Sequence, residues 1–276
     1  MTIYGILHHP RIPDSEPQAR QIANWLAEKG VSVWVASTHE EKTMKQRIPG
    51  CTMLVVLGGD GALLQVARSA APHRVPVFGV NLGKIGFLTE SEPAEWQNKL
   101  ARLLIGDFTT EKRLMLDAQL QRDGEIIETF TALNDIVVGR GPQARVVRFE
   151  LIVDGDPVTQ YTADALIVAT PTGSTAYSMA AGGPLLPPQL QNFVVVPVAP
   201  HLSFDRALVL HEEAKIMIDI AMDHEAYLTP DGKHGHLVRD GDRVTVQKAT
   251  HFSMFARVEG PGYFYRRIMG RLGYTR

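Results

Sequence analysis

A carboxylate set among glycines is the first arrangement in this chain that could do chemistry. In LGGDGALLQVARSA, residues 57–70, Asp60 stands where the apolar run TMLVVL ends and a helical pattern begins. Gly58, Gly59 and Gly61 remove side-chain obstruction from such a turn, so its backbone amides can approach a phosphate closely. The same residues also suit an ordinary tight turn in which Asp60 caps the helix that follows. A second glycine-rich stretch, NLGKIGFLTE at 81–90, again follows an apolar run, PVFGV, and is expected at the same sheet edge. Ligands of open parallel sheets collect beyond the carboxyl ends of the strands.

The elements that must position these loops change texture once along the chain. Up to about residue 107, short apolar runs (TIYGIL, VSVWVAS, TMLVVLGG, PVFGVN) alternate with helical stretches such as EPQARQIANWLAEKG. That pattern predicts a Rossmann-like α/β domain over 1–107, with parallel strands and crossover helices. From 108 to 250 strands follow one another, with Asp-Gly turn signals at Asp123, Asp154, Asp231 and Asp240, so a β-rich domain is expected. The closing segment, 251–276, reads as helical after Gly262 and is expected to pack back on the first domain.

Other features exclude more than they suggest. Over 276 residues, 45% hydrophobic and 21% charged residues are ordinary for a globular protein, and no apolar run is long enough to span a bilayer. The start, MTIYGILHHPRIPD, has neither a secretory nor a transit-peptide pattern, and the single cysteine, Cys51, agrees with a reducing compartment, so a cytoplasmic location is expected. Cys51 itself reads as a small buried hydrophobe. A net charge of -2 offers no electrostatic case for nucleic acid, and RRIMGR at 266–271 reads as a solvated face. GRGPQA at 139–144 has the spacing of a dinucleotide fingerprint, but the strand-like RVVRFELIVDG follows it where a helix is needed, so it reads as a loop. His8, His9, His234 and His236 lack partners at recognisable metal-ligand spacing and read as surface or substrate-adjacent residues.

Four blocks, LGGDGALLQVAR, NLGKIGFLTE, TALNDIVVGR and TPTGSTAYSMAAGGPL, occur in this order over about residues 55–190. Together they resemble the NAD kinase family; the glycine-aspartate turn alone is shared with phosphofructokinases and lipid kinases. The resemblance implies transfer of a phosphoryl group from ATP, or polyphosphate, to the 2′-hydroxyl of the adenosine ribose of NAD, giving NADP. It also implies an α/β domain joined to a β-rich one, a homodimer or homotetramer, and no nucleic-acid or membrane partner.

On the same footing, Asp60 matches the family's catalytic aspartate, as general base or orienter, and with Gly61 is also expected to contact NAD; Gly58, Gly59 and Gly61 are expected at the phosphate donor, with Mg2+ arriving with the triphosphate. Asn134 and Asp135 match an Asn-Glu pair that holds the adenosine portion, with the shorter Asp in place of Glu. Asp164 matches an acid on the nicotinamide side, and Thr175, Ala176, Tyr177, Ser178, Met179 and Ala180 match the segment lining the dinucleotide. Arg145 and Lys233 are further ligand-facing candidates. A second departure is Ala62, where the family usually has Thr or Ser. Two other classes remain open at this stage: a lipid or small-alcohol kinase using the same turn, and a non-enzymatic dinucleotide sensor. NLGKIGFLTE together with TPTGSTAY argues against the first, and the retained Asp60 against the second.

Overall fold

The computed structural model describes residues 2–83, 86–143, 145–202, 204–260 and 262–271. Lys84 and Ile85 of the second glycine-rich loop, Ala144 of GRGPQA and the closing residues 272–276 lie outside the described residues. In chain order the first elements are β1 (Ile3–His8), α1 (Ser15–Glu28), β2 (Ser32–Ser37), α2 (Glu41–Arg47), β3 (Met53–Gly58), α3 (Asp60–Ala70), β4 (Val77–Asn81), α4 (Trp96–Leu104) and β5 (Thr109–Arg113). Then come β6 (Leu116–Arg122), β7 (Glu125–Ala132), β8 (Asp135–Arg140), β9 (Val147–Val153), β10 (Asp156–Ala163), β11 (Ala165–Ala169) and α5 (Tyr177–Ala180). They are followed by β12 (Asn192–Val198), β13 (Leu208–His211), β14 (Ile216–Ala221), β15 (Ala226–Pro230), β16 (His236–Val238) and β17 (Arg243–Lys248). The chain closes with β18 (Ser253–Arg257) and α6 (Tyr263–Arg271).

Two compact units divide this series: Met1–Lys112 with Phe252–Arg276, and Arg113–His251. The first division falls five residues beyond the expected 107/108, because β5 joins the sheet of the first unit. That sheet has the order β2-β1-β3-β4-β18-β5, with parallel pairing from β2 through to β18. A strand from the far end of the sequence is thus inserted next to β4. In α1 the buried Ala19, Ile22, Ala23 and Leu26 recur at helical spacing and, with Trp96, Leu100 and Leu103 of α4, cover Ile6, Val55, Leu57, Phe78 and Val80 of the sheet.

The second unit has two six-stranded sheets, β10-β9-β14-β17-β6-β7 and β13-β12-β11-β8-β15-β16, in which every pairing is antiparallel. Three of the Asp-Gly signals form hairpin turns with both residues at positive φ: Asp123-Gly124, Asp154-Gly155 and Asp231-Gly232. In the first two, which join β6 to β7 and β9 to β10 directly, this is the backbone that a two-residue hairpin needs to match strand twist, whereas Asp231-Gly232 opens the longer connection from β15 to β16. GRGPQA is the end of β8 and a loop, and β9 follows it, as its sequence context implies. Among the described residues no helix is long and apolar enough to cross a membrane.

Candidate active site

The glycine-aspartate turn lies at the carboxyl end of β3, and α3 starts on Asp60 with Gly59 as its N-cap. The Asp60 carboxylate does not stay on its own turn. Its Oδ2 accepts the amide of Phe87 at 2.8 Å and its Oδ1 the amide of Leu88 at 3.0 Å. The two glycine-rich stretches therefore meet through one side chain. Gly86 allows the approach: a Cβ there would fall 2.1 Å from Asp60 Oδ1. Around Gly59 and Gly61, by contrast, a Cβ would meet nothing within 4 Å, so that side of the turn is open. Ala62 is buried, and a Cβ on Gly58 would lie 2.9 Å from its own Cβ, which leaves little room on that side of the helix start.

Two readings of the first unit need correction. The RRIMGR stretch is not simply a solvated face: Arg267 is largely buried, donates to the carbonyls of Phe87 and Thr89, and pairs with Glu90 at 3.4 Å. His8 is a buried residue at the end of β1, facing Ser15 Oγ at 3.4 Å, because this inner strand is covered on both faces and successive residues from Tyr4 to His8 are all buried. Cys51 is half-buried, donating to the Arg47 carbonyl, and burial pushes its thiol up, away from nucleophile chemistry.

In the second unit strand register gathers the candidate residues. Asp135 at the start of β8 pairs with Ala169 at the end of β11, and Ile136 with Pro230 at the end of β15. Three connections converge there: 133–134, 170–176 and 231–232. Asp231, in the left-handed region at φ 50, turns its carboxylate back onto the amides of Leu133, Asn134 and Asp135, the shortest contact being 2.7 Å to Asn134. Thr170 holds the other side, donating its hydroxyl to the Leu133 carbonyl at 2.6 Å and its amide to the Asn134 carbonyl at 2.9 Å.

Beside this junction lies a cleft of about 460 Å³ lined by Asn134, Asp135, Ala176, Tyr177, Thr229 and Asp231, among others. A second cleft of about 300 Å³ shares Val137, Tyr177 and Thr229 with it and adds Arg140, Asp164 and Tyr227. Asn134, Asp135, Asp164, Ala176 and Tyr177 are thus brought together along two adjoining clefts. Thr175, Ser178, Met179 and Ala180 sit in the same turn without lining either cleft; Thr175 Oγ1 donates to the Thr172 carbonyl, and the buried Ser178 hydroxyl has no hydrogen-bond partner. Arg145 is exposed and pairs with Asp223 at 3.4 Å, and Lys233 is exposed in the β15-β16 turn, so neither lines these clefts. The sequence reading missed Arg140, which pairs with Asp164 at 3.0 Å, and the functional placement of Asp231.

The family model described as the ATP-NAD kinase N-terminal domain matches residues 4–108, and the ATP-NAD kinase C-terminal domain matches residues 133–258. The chain belongs to the ATP-NAD kinase family. The NAD kinase of Heliobacterium modesticaldum is 39% identical over 99% of each chain, and that of Nitratidesulfovibrio vulgaris 39% identical over 94% of this chain and 92% of its own. Among solved structures, yeast NADH kinase complexed with NADH superposes with a TM-score of 0.89 at 25% identity, covering 100% of this chain and 88% of the other. An NAD kinase from Archaeoglobus fulgidus in complex with ATP gives 0.79 at 25% identity, covering 100% of both. The activity is that of an NAD kinase, a phosphotransferase that converts NAD to NADP, which sets aside the lipid-kinase and sensor readings.

In this NAD kinase Asp135 is a carboxyl group held almost out of solvent beside a second acid, Asp231. The residue is 4% exposed, and burial, followed by the charge of Asp231, pushes its carboxyl up to about 7 from the ordinary 3.8. The folded state therefore holds a proton that the unfolded chain has released, so Asp135 makes stability fall as pH rises from about 4 to about 7 and adds no slope above that. Asp135→Asn removes this penalty. Its stability relative to the unsubstituted protein is expected to be unchanged near pH 4 and higher by as much as about 4 kcal/mol at pH 8. Urea melts at the two pH values measure it; an equal difference at both contradicts the assignment.

Proposed function

We propose that Asp60 orients, and takes the proton from, the ribose 2′-hydroxyl of NAD as it attacks the terminal phosphate of ATP. The observation that carries this is the pinned carboxylate at a sheet's carboxyl edge, held by Phe87 and Leu88 amides beside the open backbone of Gly59 and Gly61. Phosphoryl transfer asks mainly for alignment and charge neutralisation, and a fixed carboxylate with adjacent backbone donors fits both demands. Asn134 and Asp135 are proposed to hold the adenosine portion. Asn134 offers a donor and an acceptor, while Asp135, its carboxyl pushed up to about 7, is about half protonated at neutral pH and in that form offers a hydroxyl donor as well as an acceptor. Tyr177, 44% exposed and common to both clefts, offers an aromatic face, with Asp164 and Arg140 toward the nicotinamide end. For Arg145 and Lys233 the proposal is an outer role only.

Among the described residues no group of three or more His, Cys, Asp or Glu side chains is placed to hold a metal. A cation carried on the triphosphate fits this donor set, with Asp60 as the acid nearest the phosphate-facing turn. Magnesium supplies charge neutralisation on the phosphate oxygens when bound. Chelation is therefore expected to abolish NADP formation and magnesium to restore it, with the melting temperature of the protein alone unchanged. A melt that drops on chelation contradicts a cation that travels with the donor.

The defining experiment incubates the protein with NAD, magnesium and either ATP or polyphosphate, and follows NADP. Turnover with ATP is expected; turnover with polyphosphate alone replaces ATP as the donor, and NADH in place of NAD tests the second acceptor. A homodimer or homotetramer is proposed on the exposed Ile126 and Ile127 of edge strand β7 and Val209 of edge strand β13, to be read by sedimentation. The single cysteine accords with action in the cytoplasm.

A further inference from the structure

The amides that hold Asp60 belong to a stretch whose opposite edge is gripped just as closely. Arg257, on β18 and 3% exposed, donates Nη1 to the Leu88 carbonyl at 2.9 Å and to Glu90 Oε2 at 3.0 Å, and Nε to Glu111 at 3.2 Å. Arg267, on α6, donates to the carbonyls of Phe87 and Thr89. Glu90, 2% exposed, accepts the amides of Val258 and Glu259 at 2.9 and 2.8 Å on its other oxygen. The Tyr263 ring lies under both guanidinium groups, at 4.7 Å from Arg257 and 5.0 Å from Arg267, while its hydroxyl donates to Glu111 at 2.7 Å. Lys99 closes the group from α4, reaching the Glu90 carbonyl at 2.7 Å and Glu259 at 3.2 Å.

Buried ion clusters are a poor way to add stability, since packed apolar side chains of equal volume do as well or better. What this one does that apolar residues could not is fix three successive carbonyls, those of Phe87, Leu88 and Thr89. A peptide plane fixed at its carbonyl has its amide direction fixed too. The Phe87 carbonyl shares its plane with the Leu88 amide, one of the two that hold Asp60, and the other, from Phe87, belongs to the plane just before it.

We propose that Arg257, Arg267 and Glu90 are positioning residues for phosphoryl transfer: they set the loop 87–89 that in turn sets the Asp60 carboxylate. The inference rests on the reading of Asp60 given above. None of the three is proposed to touch substrate, so their loss lowers kcat and leaves dinucleotide affinity, proposed for Asn134, Asp135 and Tyr177, as it was.

Arg267→Gln is the test, because this side chain is at the margin of the cluster and its replacement leaves Arg257 and Glu90 paired. The expected result is a kcat reduced about 30-fold with the NAD dissociation constant within twofold, together with faster hydrogen exchange at the Phe87 and Leu88 amides. Arg267→Lys keeps the cation without the fork and is expected to recover part of kcat and of the amide protection; if the Gln variant fails to fold, the Lys variant carries the same comparison. A folded Arg267→Gln, or the folded Lys variant standing in for it, with kcat within twofold overturns the proposal, as does a loss of kcat matched by an equal loss of NAD affinity or unaltered exchange at both amides. Asp60→Asn assayed alongside separates the two ideas. An active Asp60→Asn removes the reading of Asp60, whereas an inactive one beside a fully active Arg267→Gln removes only the positioning role.

Discussion

Asp60→Asn is expected to lower kcat for NADP formation by at least about 1000-fold while changing the NAD dissociation constant by less than about threefold. Two effects combine. The first is loss of the carboxylate as proton acceptor, which in positioned general-base catalysis is worth about 100- to 10,000-fold. The second is local: both carboxylate oxygens accept backbone amides, from Phe87 and Leu88. An Asn side chain keeps one oxygen and turns an NH2 toward the other amide, so two donors face each other and the loop must shift. Asp60→Glu is expected to be no better, because the carboxylate already occupies the space where Gly86 would carry a Cβ, 2.1 Å away, and a longer side chain has no room to retract. Steady-state kinetics with saturating ATP and magnesium, paired with an NAD titration, measure both variants. A kcat within tenfold of the unsubstituted protein for Asp60→Asn ends the proposed role of this residue.

That Asp60 could be singled out in the sequence, while its partners could not, has a physical cause. A carboxylate between glycines after an apolar run is a local pattern, and turns are local structures. The groups it meets are backbone amides 27 and 28 residues away, and a backbone amide carries no side-chain signature. The same holds for Asp231. Its Asp-Gly pair announces a hairpin, and a hairpin is what forms, but the carboxylate reaches amides 96 to 98 residues back along the chain. Only the register of β8 against β11 and β15 brings those peptides under it.

Alternation of strands and helices was enough to anticipate a parallel α/β sheet and a β-rich partner, since each element advertises its own period. Insertion of β18 beside β4 was not legible, because nothing in SMFAR distinguishes a strand that pairs locally from one that pairs with Val77. That insertion is what buries Arg257. Without it, RRIMGR at 266–271 reads as a solvated face, although Arg267 within it is largely buried. GRGPQA shows the converse case: its spacing suggested a nucleotide fingerprint, its context denied the helix, and β8 followed by β9 leaves only a strand end and a loop. Arg140 in that segment pairs with Asp164 in the smaller cleft, whereas Arg145, five residues on and a ligand-facing candidate by resemblance, is exposed and pairs with Asp223.

Gly173→Ala is expected to have the largest effect on dinucleotide binding, although the residue offers no side chain to a ligand. A Cβ at this position would lie 2.1 Å from the Asn134 carbonyl oxygen, 2.5 Å from its carbon and 2.9 Å from its Cα, all of them backbone atoms. No rotamer change relieves such a contact, so the 133–135 segment must move. It is held on one side by Asp231 through three amides and on the other by Thr170, which binds the Leu133 and Asn134 carbonyls. The alanine methyl therefore breaks one of these grips and carries Asn134 and Asp135 out of place. Overpacking of this kind costs about 1 to 3 kcal/mol in stability. The displaced pair is expected to weaken NAD by about 100-fold, or about 2.7 kcal/mol. Thr170→Val, which removes a hydroxyl without adding bulk against Asn134, is expected to cost about 1 kcal/mol in stability and less than about tenfold in affinity. Calorimetric titration and thermal melts of the two variants order the effects. A folded Gly173→Ala that binds NAD as tightly as the unsubstituted protein contradicts the placement of the dinucleotide at Asn134 and Asp135, because the methyl leaves that segment no way to keep its position.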